Sequence, residues 1–231
     1  MIDGLFADRR LREKTLSRSD IEALSASCAP FELTVCDLED ADLSRLDLTG
    51  WSFERCNMRR TKFSGAKLEG SKWQTCRGAF SDFGGADLTD AHFVSSDFNN
   101  AVFRRSTLAS SSFHGCKLTG ADLSEARALN ARFDETLLIN AKMPSHSFRK
   151  MLLRKIDFSD ADLRKCDFRA TIFEDCSLRG TNLGGARFDG ADLRGADLGG
   201  LRLIDSALFR GATISRQQAG ELLAELGLNV R

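Results

Sequence analysis

Large apolar residues recur along this chain every five residues. Stepping by five from Leu33 to Leu208 gives 36 consecutive positions, and Leu or Phe fills 31 of them. The exceptions are Met58, Trp73, Gly78, Ala128 and Met143. The residue two places earlier is Ala, Cys, Ser or Thr in 29 of the 36 blocks. Because this period fits neither a helix (about 3.6 residues) nor a strand (about 2), it excludes an ordinary amphipathic element.

Each block therefore has one large and one small inward position. The chain can bury both only if it turns a corner after every block, and four corners close a square. One coil then takes four blocks, and the 36 blocks make nine coils. Successive coils are expected to stack with backbone hydrogen bonds at strand spacing. The pattern predicts an all-β, four-sided solenoid over residues 31–210.

The composition of single blocks indicates a family. Several blocks resemble the pentapeptide repeat family, whose pattern is Ala-Asp/Asn-Leu followed by two variable residues: Ala121-Asp122-Leu123, Ala161-Asp162-Leu163, Ala191-Asp192-Leu193 and Ala196-Asp197-Leu198. The resemblance covers residues 31 to about 210 and implies a right-handed quadrilateral β-helix. The chain looks most similar to the quinolone-resistance, topoisomerase-protecting branch, without its inserted loops.

Both ends of the repeat region carry helix signals, which are expected because an open solenoid end needs a cap. Residues 1–30 are predicted to form an N-terminal cap, with a short helix from about residue 20 to 27 that begins at Ser19. Residues 211–231 are predicted to form a C-terminal helix that begins at Ser215 and stops at Gly227. This helix either only seals the last coil or also joins two subunits, as the quinolone-resistance branch implies. The candidate dimer contacts are Ala219, Leu222, Leu223, Leu226, Leu228 and Val230.

The repeat register is unbroken, but its composition changes in one stretch. Between Met143 and Phe158 the small positions carry His146, Met151 and Ile156, and bulky residues there are expected to splay the coils or bend the axis.

A column of cysteines runs along one face of the predicted solenoid. Its members occupy the same position in different coils: Cys36, Cys56, Cys76, Cys116 and Cys176. We interpret them as small buried thiols, because a conventional metal site needs ligands that converge on one point. No cofactor or metal site is predicted.

Charge and hydropathy limit the function classes. The chain has 33 basic and 33 acidic residues, which argues against a general nucleic-acid binder. It has neither an apolar stretch of membrane-spanning length nor a signal peptide, so a cytoplasmic protein without a membrane or direct nucleic-acid partner is expected. A packed solenoid interior leaves no concave site for catalysis, and the protein is predicted not to be an enzyme.

Two binding functions remain open. The resemblance implies a DNA mimic that binds DNA gyrase or topoisomerase IV and protects against quinolone-type inhibitors. Duplex DNA carries one negative charge per about 1.7 Å, however, whereas residues 31–210 hold 26 acidic and 26 basic groups. The alternative is a scaffold, adaptor or secreted effector that binds a protein through an apolar and basic band over residues 129–155. That band contains Leu129, Leu137, Ile139, Lys142, Arg149, Lys150, Leu152, Arg154 and Lys155.

Overall fold

The computed structural model describes residues 9–27, 29–200, 207–225 and 227–229. The chain forms two compact units, Met1–Arg132 and Phe133–Arg231. The first contains β1 (Arg10–Arg12), α1 (Arg18–Ser25), β2 (Glu32–Thr34), β3 (Ser52–Glu54), β4 (Lys72–Gln74), β5 (His92–Val94) and β6 (Ser112–His114). Strand β7 (Arg132–Asp134) spans the division. The second contains β8 (Leu152–Arg154), β9 (Ile172–Glu174), β10 (Cys176–Ser177), β11 (Ala196–Asp197) and α2 (Arg216–Glu225).

The first unit is a stack of four-sided coils. Strands β2 to β6 pair in parallel, each with the strand one coil later, so that Leu33 lies opposite Phe53 and Phe53 opposite Trp73. The other three sides are joined by single bridges at the same step: Asp37 to Asn57, Asp42 to Lys62 and Asp47 to Lys67. We name the sides by the first coil as face I (31–35), face II (36–40), face III (41–45) and face IV (46–50). Later residues take their face by steps of 20.

The second unit repeats this geometry. Leu152 lies opposite Ile172 on face I, and single bridges join residues 137 and 157, 142 and 162, and 147 and 167 on faces II, III and IV. The predicted quadrilateral β-helix is therefore confirmed in each unit.

The fifth residue of each block makes the corner. In the first coil Asp40 and Arg45 have φ of 61° and 63°. The amide of Ala41 bonds the carbonyl of Leu38 at 3.0 Å, which closes a type II turn with Asp40 at its left-handed position. Twenty-four described non-glycine residues have positive φ, including Phe80 and Ala170. A position that looks variable in sequence is thus conformationally demanding.

Aromatic rings stack along the interior of the first unit. On face III the rings of Phe63, Phe83 and Phe103 lie 4.9 Å apart and within 5° of parallel. On face I Trp73 stacks on Phe53 at 4.4 Å and on Phe93 at 5.4 Å. The coil spacing matches the favourable separation of stacked rings, so the backbone ladder and side-chain packing reinforce each other.

Gly78 interrupts the Leu/Phe pattern because a ring already fills its place. A Cβ at residue 78 would overlap the Phe98 ring. That ring packs edge-on against Trp73, Phe83 and Phe93 at 5.9, 5.7 and 5.3 Å. The missing side chain of one coil is therefore compensated by the next coil.

Polar residues at the small inward position bond the backbone. The hydroxyl of Thr61 donates to the carbonyl of Leu38 at 2.7 Å, and that of Ser96 donates to the carbonyl of Trp73 at 3.2 Å. The thiols of Cys56 and Cys76 make the same contact at 3.2 and 3.3 Å, with the carbonyls of Leu33 and Phe53. These groups are satisfied inside the solenoid, which supports the interpretation of the cysteines as buried thiols.

The N-terminal segment belongs to the solenoid itself. Strand β1 pairs in parallel with β2, with Leu11 opposite Leu33, so this pairing step is two positions longer than that of the later coils. Helix α1 follows, and Ser17 and Asp20 form its capping box. The predicted start at Ser19 is therefore two positions late. The helix buries Ile21 and Leu24 as expected for a cap.

The C-terminal helix caps through a polar side chain. Ser215 and Gln218 form a reciprocal capping pair, with bonds of 2.7 and 3.1 Å, as predicted. The side-chain amide of Gln218 is buried and donates to the carbonyls of Leu193 and Ala196, each at 2.7 Å. Gln218 thus satisfies two carbonyls of the last described coil, a role that its apolar neighbours cannot perform.

The register slips by one residue near the end of the second unit. The amide of Phe188 bonds the carbonyl of Leu208, 20 residues later, where earlier coils have a step of 19, and Asp192 bridges Thr213 at a step of 21, where earlier bridges have a step of 20. The ring that stacks on Phe188, at 4.8 Å, is that of Phe209. The expectation of an unbroken register that ends with Leu208 inward is therefore wrong in its last block. Residues 207–209 form a single 3₁₀ turn.

The coils do not splay between Met143 and Phe158. The amides of Met143, Phe148 and Lys155 keep ladder bonds of 2.9, 2.8 and 2.8 Å to the next coil. The expected splaying does not occur because each bulky residue has a smaller one at the same position of the next coil. These pairs are His146 with Cys166, Met151 with Thr171, and Ile156 with Cys176.

Candidate partner-binding surface

The outward aspartates brace the corners. Aspartates at the second position of a block accept a hydrogen bond from the backbone amide two residues later, as Asp42 does from Ser44 at 3.0 Å and Asp97 from Asn99 at 3.1 Å. This Asx-type contact stabilises the turn that follows. The Asp of the repeat therefore has a structural role in addition to being solvated.

Opposite charges pair between successive coils. Arg60 bonds Asp40 at 2.7 Å, and Lys155 bonds Glu135 at 2.8 Å, each across one coil step. The Arg60 side chain lowers the pKa of Asp40, and the Glu135 carboxylate raises the pKa of Lys155. Further pairs at this step are Lys67 with Asp47, Arg105 with Glu125, and Arg154 with Glu174. The surface is thus neutralised locally.

In the second unit some pairs form inside one block. Arg164 donates hydrogen bonds to both carboxylate oxygens of Asp162 at 2.8 and 2.7 Å, and Arg194 donates in the same way to Asp192. The hydrogen bond from the arginine lowers the pKa of each aspartate. Asp-x-Arg is the sequence signal of this fork, which analysis of single charges missed.

Residues 32–47 contain six acidic side chains and one basic side chain, and acids of this stretch are also paired. Glu32 bonds Arg10 at 2.8 Å, and Glu39 bonds Arg60 at 2.6 Å. The carboxylate of Asp47 is held by Lys67 at 3.1 Å. A stretch that looks acidic along the chain therefore presents mixed charge on the folded surface.

The predicted band over residues 129–155 does not form one surface. In the second unit Leu152, Arg154 and Lys155 lie on face I, Leu137 and Ile139 on face II, Lys142 on face III, and Arg149 and Lys150 on face IV. Leu129, in the first unit, lies on face IV and is 73% exposed. The expectation of a single patch is wrong because the chain turns a corner every five residues, so sequence neighbours encircle the coil.

The structure brings together residues one coil apart instead. Leu152 and Ile172 are register partners on face I, and their side chains are 41% and 46% exposed. Beside them Arg154 bonds Glu174 at 2.9 Å on the same two strands. We call these four residues the face I patch. Sequence analysis missed Ile172 and Glu174, although comparing outward residues at the coil period would have found them.

The candidate dimer contacts are only partly described. On α2, Ala219 and Leu222 are half-buried, whereas Leu223 is 36% exposed; beyond the helix Leu228 is 53% exposed. Leu226 and Val230 lie outside the described residues, as does Cys28.

The described residues contain neither a cluster suited to a metal ion nor a helix suited to a membrane. Within the described ranges, no group of three or more His, Cys, Asp or Glu side chains is placed to hold a metal ion. None of the helices described is long and apolar enough to cross a membrane. The Nδ1 atom of the exposed His92 side chain lies 2.8 Å from the Ser112 hydroxyl on the next coil.

Four-sided coils with a five-residue block define the class of β-solenoid to which this chain belongs. A family model for pentapeptide repeats matches with 8 copies, over residues 36–72, 86–124, 116–154, 131–174 and 171–208. The chain is a member of the pentapeptide repeat family, and the resemblance of its blocks is confirmed. A comparison with curated proteins found no significant match.

Solved structures share the fold. HetL, a pentapeptide repeat protein involved in heterocyst differentiation regulation from the cyanobacterium Nostoc sp. strain PCC 7120, is 23% identical with a TM-score of 0.66. The match covers 81% of this chain and 86% of HetL. QnrB1, a plasmid-mediated fluoroquinolone resistance protein, is 20% identical over 95% of this chain and 97% of its own, with a TM-score of 0.41. The match to HetL shows the fold alone, and the match to QnrB1 carries no argument.

Proposed function

We propose that this protein is a non-enzymatic binding solenoid that recognises a protein partner through the face I patch. The observation that carries the proposal is the exposed pair Leu152 and Ile172, 41% and 46% exposed on paired strands. Two adjacent aliphatic side chains on a rigid parallel ladder offer a fixed apolar anchor point. The Arg154–Glu174 pair beside them supplies the polar rim that protein interfaces commonly have.

The charge pattern favours a protein over a nucleic acid. Arg154 and Lys155 are already engaged by Glu174 and Glu135, at 2.9 and 2.8 Å. Phosphate recognition requires cations free to replace counterions, and a paired arginine contributes little to that exchange. A partner with an apolar anchor and mixed charge fits better.

The test is a single substitution with a matched control. Ile172→Asp places a charge in the face I patch, whereas Val94→Asp places one at a 38% exposed site on face I of the first unit. Partners captured from the native host by the wild-type protein should be lost with Ile172→Asp and kept with Val94→Asp. An unchanged partner list for Ile172→Asp would refute the proposal, provided that both variants melt like the wild type.

A narrower candidate is that the partner is a type II topoisomerase, protected by DNA mimicry. Family membership and the stacked coils support it, whereas the lateral ion pairs, such as Arg60 with Asp40, count against a DNA-like charge. Gyrase supercoiling with and without a quinolone, titrated with this protein, tests it. No change at micromolar protein would discard the candidate.

We also propose a homodimer through α2 and a cytoplasmic location. Exposed Leu223 and Leu228 support the dimer, and Leu223→Glu should halve the mass measured by light scattering. An unchanged mass would contradict a contact at Leu223. The six described cysteines are unpaired, which supports a reducing compartment.

A further inference from the structure

Charge is distributed unevenly around the second unit. Its faces III and IV comprise residues 141–150, 161–170 and 181–190, and its faces I and II comprise residues 133–140, 151–160, 171–180 and 191–200. Faces III and IV hold seven basic and three acidic side chains, whereas faces I and II hold four basic and eight acidic ones. One half of the unit is therefore positive and the other half negative, although the whole chain is neutral.

The three acidic side chains of faces III and IV are each paired with an arginine of the same block. These pairs are Asp162 with Arg164, Asp167 with Arg169, and Asp189 with Arg187. In the first two pairs the arginine donates to both carboxylate oxygens. The acids of these faces are thus already engaged, and they leave the remaining cations without a counter-charge.

Four exposed cations remain on this half, and none of them has an ion-pair partner among the described residues. They are Lys142 on face III, Lys165 at the corner of faces III and IV, Arg149 on face IV, and Lys150 at the corner of faces IV and I. We call these four residues the basic strip. A Cβ on Gly185 would lie 3.4 Å from the Cγ of Lys165, so this glycine leaves room for the lysine stem.

The surface around the basic strip offers charge without an apolar anchor. Among the described residues of faces III and IV in this unit, no outward side chain is aromatic and no large apolar side chain is exposed. Single-stranded nucleic acids use aromatic platforms, and membrane-surface segments use apolar side chains that insert. Proteins that bind duplex DNA commonly make about 6 to 10 phosphate contacts, more than four free cations supply. The carboxylates of a protein partner fit this surface better.

The basic strip turns a corner of the coil. Lys142 and Arg149 lie on two faces that meet at the Lys165 corner, so a flat surface can approach only one of the two faces closely. The acidic half of a second copy is itself made of flat faces and would engage only part of the strip. An extended segment can bend around the corner and reach cations on both faces.

We propose that the basic strip binds an acidic, extended segment of a partner protein, whose carboxylates contact cations on faces III and IV together. Because the contacts join exposed charges, the complex forms rapidly and weakens as salt is added. The face I patch lies on a different side of the unit, so this binding does not depend on the function proposed for that patch.

The experiment is fluorescence anisotropy of a labelled peptide of alternating Glu and Ser, about 10 residues long and so able to span roughly 33 Å when extended. The wild-type protein should bind the peptide at low ionic strength and release it at high ionic strength. Lys142→Glu and Arg149→Glu, one on each face, should each weaken binding about tenfold. The matched control is Lys117→Glu, which makes the same change in net charge at an exposed lysine of the first unit and should have little effect.

Further controls separate this proposal from its alternatives. Each variant should melt near the wild-type temperature, and Ile172→Asp should leave peptide binding unchanged. The proposal is overturned if the wild type does not bind the peptide, or if either strip variant binds as tightly as Lys117→Glu. It is also overturned if a labelled DNA duplex or a phosphatidylserine vesicle binds the strip more tightly than the peptide does. Sedimentation of the protein alone at low salt tests a second copy, and self-association that Lys142→Glu abolishes would overturn the proposal as well.

Discussion

The interiors of the two units follow the same coil step but differ in how one buried polar side chain is paired. In the first unit the buried indole of Trp73 donates to the Ser71 hydroxyl at 2.8 Å, and the hydroxyl of Thr61 reaches a backbone carbonyl. In the second unit His146 is 6% exposed, and its Nε2 has no hydrogen-bond partner. Among the described residues it is the one buried side-chain nitrogen or oxygen atom in that state. A small hydroxyl or thiol at this position reaches a carbonyl, whereas an imidazole leaves one nitrogen unpaired.

The units also fill their interiors by different columns. The first stacks rings on faces I and III, including Trp73 and Phe83, and the second stacks Phe148, Phe168 and Phe188 on face IV at 5.0 and 4.8 Å. The backbone ladder keeps the same step in both. The coil is therefore set by hydrogen bonding and corners, while the side chains need only fill the enclosed volume.

The largest expected effect comes from placing a charge in the apolar interior of the first unit. Phe98→Asp buries a carboxylate where the native ring is 0% exposed, so unfolding or aggregation is expected, a loss of more than about 4 kcal/mol. Asp97→Ala removes one backbone bond at the surface and should cost about 1 kcal/mol. Denaturant unfolding compares them. Similar stability of the two variants would contradict the inward placement of Phe98.

The next largest effect is the pH dependence of stability that the buried, unpaired His146 of the second unit should cause. Burial lowers the pKa of His146 below 6.5, so the unfolded chain binds a proton that the folded chain does not. Stability should be constant above about pH 6.5 and fall by about 1.4 kcal/mol per pH unit below it, until the folded pKa is reached. In His146→Ala this dependence should largely disappear.

Melting temperatures between pH 7.5 and 5 measure this effect. Cys166→Ala, one coil later in the same column, is the control and should shift the melting temperature without changing its slope with pH. If His146→Ala kept the wild-type slope, the acid sensitivity would have another source.

The smallest expected effect comes from substitutions at the corners of the coil. Ala170 has φ of 54°, and Ala170→Gly should stabilise the protein by about 0.5 to 1 kcal/mol, because glycine relieves left-handed strain but makes the unfolded chain more flexible. Gly190 has φ of 69°, and a Cβ there would touch nothing within 4 Å. Gly190→Ala should therefore destabilise by a similar amount. If Ala170→Gly and Gly190→Ala shifted the melting temperature in the same direction, contacts and not backbone conformation would govern the stability of these corners.

The fold was largely predictable because the interior repeats. One large and one small position per block, seen from Leu33 onward, sufficed for the coil, its four sides and the burial of Phe98. The α2 capping pair Ser215 and Gln218 was also predicted. The start of helix α1 and the one-residue register slip before Phe209 were not predicted, because neither a helix start nor a single inserted residue leaves a periodic signal in the sequence.

The candidate surface was less predictable for a geometric reason. Residues such as Leu137, Lys142 and Arg149 are neighbours along the chain but lie on three different faces. The pairing of Arg154 with Glu174, and the exposure of Leu152 beside Ile172, depend on contacts one full coil apart. Sequence proximity is a poor guide to surface proximity in a solenoid.

By itself, the sequence determined the five-residue block, the four-block coil and the membership of the pentapeptide repeat family, because inward side chains must satisfy a strict spacing. Only the tertiary structure decided which outward residues lie together, which charges cancel and which buried groups are paired. Those properties arise from stacking between coils, and stacking brings together residues that a linear pattern keeps apart.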